Sequence, residues 1–382
     1  MIAKKSRAVA TALVLGTAAL AVATMPANAA MRSTVGKPLQ EALTLAKSGN
    51  YAAACTKVKQ AEGVGGLSAE ESKGTNQMKE YLAAASKGTV CAEGSIGIQA
   101  KFNADWNARK FKDVIADEDA LRKYNVLNAQ SMIVIAQAYE QLGDYKSCVH
   151  YADVHASAGA EMVKRGMLCA FKAGDDNTAR DLALKLVAQS PTPENWDQLL
   201  KQAEHAKQLS DSQTLDIYRL KYLTGNLKGA DEYFMLSQML IAARDQNEAA
   251  AIVDKGQQAK LLVDARAQRL AALAKKNAAD ENANIGKAQA AAQKQPKGDD
   301  LVKVGEALTG MGRYADAVTA IQAGIAKGVA DADNAAVRLA VAQYGAKQKP
   351  QAVAGLEKVA KNGKTANAKL VAQMWALYIR AH

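Results

Sequence analysis

A recurring turn constrains this chain more than any other feature. Gly49-Asn50-Tyr51, Gly143-Asp144-Tyr145, Gly174-Asp175-Asp176 and Gly312-Arg313-Tyr314 each lie between an apolar run with helical spacing and a second, alanine-rich run. The second and third of these turns are 31 residues apart. Self-similarity at a period of roughly 20 to 50 residues marks stacked supersecondary units. Each unit is too small to bury its apolar face alone, so the neighbours must stack. A chain written this way is predicted to be all-helical and elongated, built from helix–turn–helix pairs.

The spacing of apolar residues supports this along most of the length. Leu39, Ala42, Leu43 and Ala46 recur at intervals of three and four before Gly49, which is the period of one helix face. Ser68-Ala69-Glu70-Glu71 carries the capped start of a third helix. Between 98 and 124 the turn lacks glycine, and Lys110-Phe111 occupies its place. Met132, Ile135, Ala136 and Tyr139 open the clearest copy, continued by Cys148 and Ala152. Trp196 and Leu199 start another, and Leu301, Val304, Gly305 and Leu308 start the one that turns at Gly312. From Met235 to Arg313 the only aromatic-poor zone of this size occurs, rich in Ala, Lys and Gln, which are strong helix formers. Its end, Gln293 to Gly298, is a candidate hinge.

These residues resemble the tetratricopeptide repeat, whose first helix carries Trp-x-x-Leu-Gly-x-x-Tyr and whose second carries Ala, an aromatic and a following Pro. In the clearest copy Met132 stands at the Trp, Ile135 at the Leu, Ala136 at the Gly, Tyr139 at the Tyr and Cys148 at the Ala. The next copy keeps Ala179 and Pro191 but has Val163 and Ala170 where aromatics belong. The resemblance implies a right-handed α-solenoid in which Tyr139, Gly143, Tyr145, Ala179, Trp196, Gly305, Gly312, Tyr314 and Ala317 serve repeat packing. It also implies that the first helices line a concave face that binds peptides, which brings Gln137, Glu140, Lys164, Phe171, Lys172 and Lys201 forward as partner-binding residues.

Residues 1–29 fall outside this pattern. Lys4, Lys5 and Arg7 precede an apolar stretch from Ala8 to Val22, and Ala27-Asn28-Ala29 forms a small-residue cleavage site. That order reads as a secretory signal peptide, so the mature chain is expected in the periplasm, or secreted. The formal charge of the whole chain is +11, and losing those three basic residues leaves it still basic. Because Lys and Arg are interspersed with Asp and Glu and form no long block, the charge reads as a solvated surface and does not point to nucleic acid.

Cys55, Cys91, Cys148 and Cys169 are an even set in a chain bound for an oxidising compartment. Of the three possible pairings, antiparallel helices favour Cys148 with Cys169, since each lies about ten residues from the turn near Ala158 to Ala160. Cys55 with Cys91 follows by elimination.

Chemistry is sparse. The chain has no phosphate-binding glycine loop, no His-Glu-x-x-His and no Gly-x-Ser-x-Gly, and only four histidines. Cys148, His150, His155 and Cys169 include zinc ligand types. However, their spacing is not the compact paired one of zinc sites, and a disulfide would consume the thiols. No cofactor, no metal and no enzymatic activity are expected. The expected organisation is a signal peptide at 1–29, a disulfide-stapled cap at 30–96 and repeats at 97–260. An Ala/Lys-rich helical linker at 261–298 and C-terminal repeats with a capping helix at 299–382 complete it. The expected role is a non-enzymatic envelope scaffold that binds another protein through its groove. The alternative is an auxiliary protein of cell-wall or polysaccharide assembly that meets an acidic glycan.

Overall fold

The computed structural model describes residues 31–86, 88–91 and 94–382. The expected signal peptide therefore lies outside the described residues. The described chain is an all-α solenoid of helix–turn–helix repeats, and it divides into two compact units, residues 31–127 and 128–382.

The first unit holds α1 (Ser33–Lys47), α2 (Tyr51–Glu62), α3 (Ala69–Ala85), α4 (Gly94–Asn107), α5 (Phe111–Ala116) and α6 (Glu118–Lys123). Its principal core is small: Val35, Leu39, Ala54, Val58, Met78 and Leu82 pack together beneath the Cys55–Cys91 disulfide. Ser68 caps α3 in the expected way. Its hydroxyl accepts from the Glu71 backbone N–H while the Glu71 carboxylate accepts from the Ser68 N–H. The same carboxylate receives the Arg32 side chain, so the chain entering α1 is tied to the start of α3. That guanidinium holds the Glu71 carboxyl down at about 2.

In the second unit the helices are α7 (Ala129–Gln141), α8 (Tyr145–Val154), α9 (Ala160–Lys172), α10 (Asp176–Gln189), α11 (Pro193–Glu204), α12 (Asp211–Leu223), α13 (Ala230–Ala243) and α14 (Gln246–Gln258). They continue as α15 (Ala265–Lys294), α16 (Asp299–Gly310), α17 (Tyr314–Lys327), α18 (Ala332–Gly345), α19 (Lys349–Asn362) and α20 (Ala366–Ala381). The Cys148–Cys169 disulfide joins α8 to α9, the second helix of one pair to the first of the next, with Cα atoms 6.1 Å apart.

The turns explain why the repeat is legible in some copies and obscure in others. Gly49, Gly143, Gly174 and Gly312 all have φ between 73° and 80°, the left-handed region that glycine enters without strain. Arg109, Arg244 and Lys347 stand at the equivalent position two residues before a helix, with φ of 57°, 70° and 63°. The turn geometry is thus conserved through these copies while the glycine is not. A Cβ in that region is disfavoured by roughly 1–2 kcal/mol, which the surrounding packing must outweigh.

The Ala/Lys-rich stretch forms α15, one continuous helix of 30 residues and so ~45 Å long. Its buried side is made almost wholly of alanine, with Ala267, Ala271, Ala274 and Ala278 on one face beside Leu270. Gln295 to Gly298 turn the chain into α16, where the Gly298 N–H donates to the Gly328 carbonyl and a Cβ on Gly298 would strike the Gly324 backbone.

The row of helices in the second unit curls back on itself. α20 packs against α10 and α12 as well as against α18 and α19. Trp196, Leu199, Ile217 and Leu220 therefore share one core with Leu356, Met374, Trp375 and Ile379. The Asn367 amide closes the contact at its rim by donating to the carbonyls of Lys207 and Gln208.

Candidate functional site

Where the second unit curls, α12, α14, α16, α18 and α20 face one another around a cavity of about 320 Å³. By the order of pairs, α12 and α14 are second helices, whereas α16 and α18 are first helices. The long α15 lies between the two sets, and the cavity is thus not lined by first helices throughout, as the repeat resemblance implied.

Behind the cavity wall lies a buried ionic network. Asp216 on α12 is 1% exposed and accepts from the Arg338 guanidinium on α18 and from the Trp375 indole N–H on α20, the latter at 3.2 Å. One carboxylate therefore joins α12 to two helices more than a hundred residues further along the sequence. Arg219, one turn along α12, donates through Nε to both Glu248 oxygens, at 2.9 and 3.1 Å, and through Nη2 to Asp245 at 2.6 Å. Arg338 Nε lies 3.4 Å from the Glu306 carboxylate on α16, too poorly aligned for a hydrogen bond. Two guanidinium groups thus face four carboxylates.

Burial and charge act in opposite directions on this network. Burial pushes the Asp245 carboxyl up to about 7, against the pull of Arg219 and with the repulsion of Glu306 and Glu248. Burial likewise raises Glu306, against Arg338 and Arg219. Burial also works against the charge of Arg219, yet Glu248 and Asp245 outweigh it and hold that guanidinium well above its usual pKa. An ion buried this deeply is tolerable only when paired, because desolvation alone amounts to several kcal/mol per charge.

The cavity face of the network is formed by Arg219, Glu248, Glu306 and Arg338. Aromatic rings supply much of the remaining wall: Tyr222, Tyr314, Tyr344, Trp375 and Tyr378. Tyr378 stands edge-on to both Tyr344 and Trp375, with ring centroids 6.2 and 6.0 Å away. Tyr314 is seated on Gly345, where a Cβ would come within 2.2 Å of its ring. Tyr314 was expected to serve repeat packing, and its position shows that the same ring also borders the cavity.

The residues put forward from the sequence as partner-binding lie elsewhere, on α7, α9 and α11. Gln137 and Glu140 are buried. Glu140 receives Arg165 at 2.5 Å and Lys172 at 2.6 Å, and although burial disfavours its charge, those two cations lower its pKa. Lys164 pairs with Glu161 at 2.9 Å and Lys201 with Asp197 at 2.7 Å. Phe171 is 61% exposed. Of the residues assigned to packing, Trp196, Ala179 and Ala317 are fully buried, and a Cβ on Gly305 would come within 2.2 Å of Ile321. Among the described residues no group of three or more His, Cys, Asp or Glu side chains could hold a metal ion. Nor is any described helix long and apolar enough to cross a membrane.

Sequence reasoning missed the network itself. Its trace was present, because Asp216, Glu306 and Arg338 each interrupt a run of buried apolar or small neighbours: Leu215 and Ile217, Gly305 and Ala307, Val337 and Ala340. What could not be read was that these interruptions meet.

No family model matches the chain, and no curated protein matches it by sequence. Solved structures do. The TPR2AB-domain:pHSP90 complex of yeast Sti1 is similar over 74% of this chain and 96% of that one, at 14% identity and a TM-score of 0.25. The APC/C hetero-tetramer Cut9-Hcn1 is similar over 89% and 75%, at 12% identity and a TM-score of 0.24. Yeast Tom70 is similar over 91% and 96%, at 10% identity and a TM-score of 0.20. The fold is that of a tetratricopeptide-like helical repeat. The helix pairing and turn geometry within the chain itself carry that statement, and scores of this size say nothing about a ligand.

Proposed function

We propose that the chain is a non-catalytic binding protein of the cell envelope that holds part of another protein in the cavity of its second unit. The observation that carries this reading is the cavity itself, a concave, aromatic-walled space lined mainly by five helices, with its two guanidinium groups held by carboxylates. Arg219, Arg338 and their carboxylates form a rigid, preorganised wall, which is what recognition needs. The two disulfides are compatible with export to an oxidising compartment, as the amino-terminal segment suggests. The surface around Lys164, Phe171, Lys172 and Lys201, with Glu140 paired to Lys172 and Gln137 buried on the same α7, would form an outer contact for the same partner. An acidic glycan suits the cavity less well, because Glu248 and Glu306 stand on its wall.

Site-specific cross-linking in intact cells tests the reading. A photo-reactive side chain in place of Tyr314 is expected to capture one discrete protein. The same group in place of Lys287, exposed on α15, is expected to capture none. Equal capture at both positions, or no protein adduct at position 314, would remove the support for a partner held there.

A further inference from the structure

We infer that the cavity of the second unit binds a protonated amine, an ammonium head carried on a short aliphatic stem. This rests on the reading of the cavity as a binding site and names the chemistry that the site accepts.

The first ground is the charge count within the network. Arg219 is engaged by Glu248 and Asp245, and Arg338 by Asp216, so neither guanidinium has charge to spare for an incoming anion. The four carboxylates Asp216, Asp245, Glu248 and Glu306 exceed the two guanidiniums by two formal charges. Asp216 and Asp245 are sealed behind the wall, whereas Glu248 and Glu306 reach it, with 29% and 19% of their side chains exposed. Glu248 and Glu306 are therefore the carboxylates of the network that an entering group meets.

The second ground is an acceptor left without a donor. Among the described residues Glu306 takes no hydrogen bond, and its one ionic contact is Arg338 Nε at 3.4 Å. A carboxylate so enclosed is costly unless a donor meets it, and an ammonium supplies three. Burial raises the Glu306 and Asp245 carboxyls, and repulsion from the neighbouring carboxylates adds to that rise.

The third ground is the wall. Tyr222, Tyr314, Tyr344 and Tyr378 with Trp375 offer aromatic rings around the cavity, and ring faces attract cations. Leu236, Ile252 and Val341 supply apolar surface for a methylene stem. An anion would meet Glu248 and Glu306, and a purely apolar ligand would leave Glu306 buried and unmatched.

Two sources share this chemistry, the side chain of a lysine in a partner and a free small amine. Titration calorimetry on the purified chain separates them, using a capped Gly-Lys-Gly peptide, its ε-acetylated form and n-pentylamine as probes. The expected result is saturable binding that vanishes on ε-acetylation and weakens about tenfold or more in Glu306→Gln. Should that variant lack a cooperative thermal transition, Tyr344→Leu, which removes one aromatic wall, is read with the same expectation. Tighter binding of the peptide assigns the amine to a lysine side chain, and tighter binding of pentylamine assigns it to a free amine. Either preference sustains the site. No saturable binding of either probe up to about 10 mM, or undiminished binding by the folded variant, overturns the inference. Because the measurement uses the isolated chain, amine binding without any cross-linked partner would sink only the partner reading. A cross-linked partner without amine binding would sink only this one.

Discussion

Replacing Trp375 with alanine should open the curl of the second unit, and the structure sets the size of the effect. The indole is 2% exposed, lies in the core shared by α12 and α20, and donates to the buried Asp216 carboxylate at 3.2 Å. Truncating a buried Trp to Ala costs about 3–5 kcal/mol. Within that total, losing a hydrogen bond to a charged acceptor accounts for roughly 1.5–3 kcal/mol. Trp375→Phe keeps a buried aromatic ring but removes the N–H together with the rest of the pyrrole ring, so its cost should fall between that smaller amount and the alanine total. The assay is native-state hydrogen exchange resolved by segment. If α20 truly closes on α12, then weakening it by ~4 kcal/mol should speed exchange through that opening by about a thousandfold in both α20 and α12. In a row of helices that did not curl, α12 would be insulated from α20 by every intervening pair. Accelerated exchange in α18 to α20 with α12 unchanged would therefore refute the closure, and with it the cavity.

Three further outcomes are expected. Gly345→Ala places a methyl group 2.2 Å from the Tyr314 ring and should destabilise the second unit by about 1–3 kcal/mol, read as a lower thermal midpoint. Asp245 titrates with a folded pKa of about 7, above its ordinary value of 3.8. The folded state therefore binds more protons than the unfolded state between those values, and stability should fall as pH rises through that window. Asp245→Asn should flatten that fall, as followed by urea unfolding across pH, and an unchanged slope would refute the assignment. Replacing Cys148 and Cys169 together with alanine removes a cross-link between residues 21 apart. Stability in denaturant should drop by about 2–4 kcal/mol, with helix content retained.

Legibility in the sequence differed sharply between the fold and the site. The repeat at Gly143 and Gly312 could be read because a left-handed turn selects glycine locally. The copies at Arg109, Arg244 and Lys347 were obscure because the same turn is held there by packing, which leaves no letter to read. The disulfide between Cys148 and Cys169 was legible since it spans neighbouring helices. The expected partner surface rested on the assumption that first helices face inward along the whole chain. α15 lies where the inward-facing set changes from second to first helices, and nothing in its alanines announces that.

By itself, then, the sequence determined most of what depends on contacts a few tens of residues apart: the helices, their caps, the glycine turns and the cross-links. Apolar periodicity and capping chemistry act at that range and leave their mark in residue order. Only the tertiary structure decided that Asp216 would meet Arg338 and Trp375, 122 and 159 residues further on. The physical reason is that the direction of a solenoid accumulates from small rotations at each packed pair. No single residue encodes that sum, yet it alone brings isolated charges from four helices to one cavity.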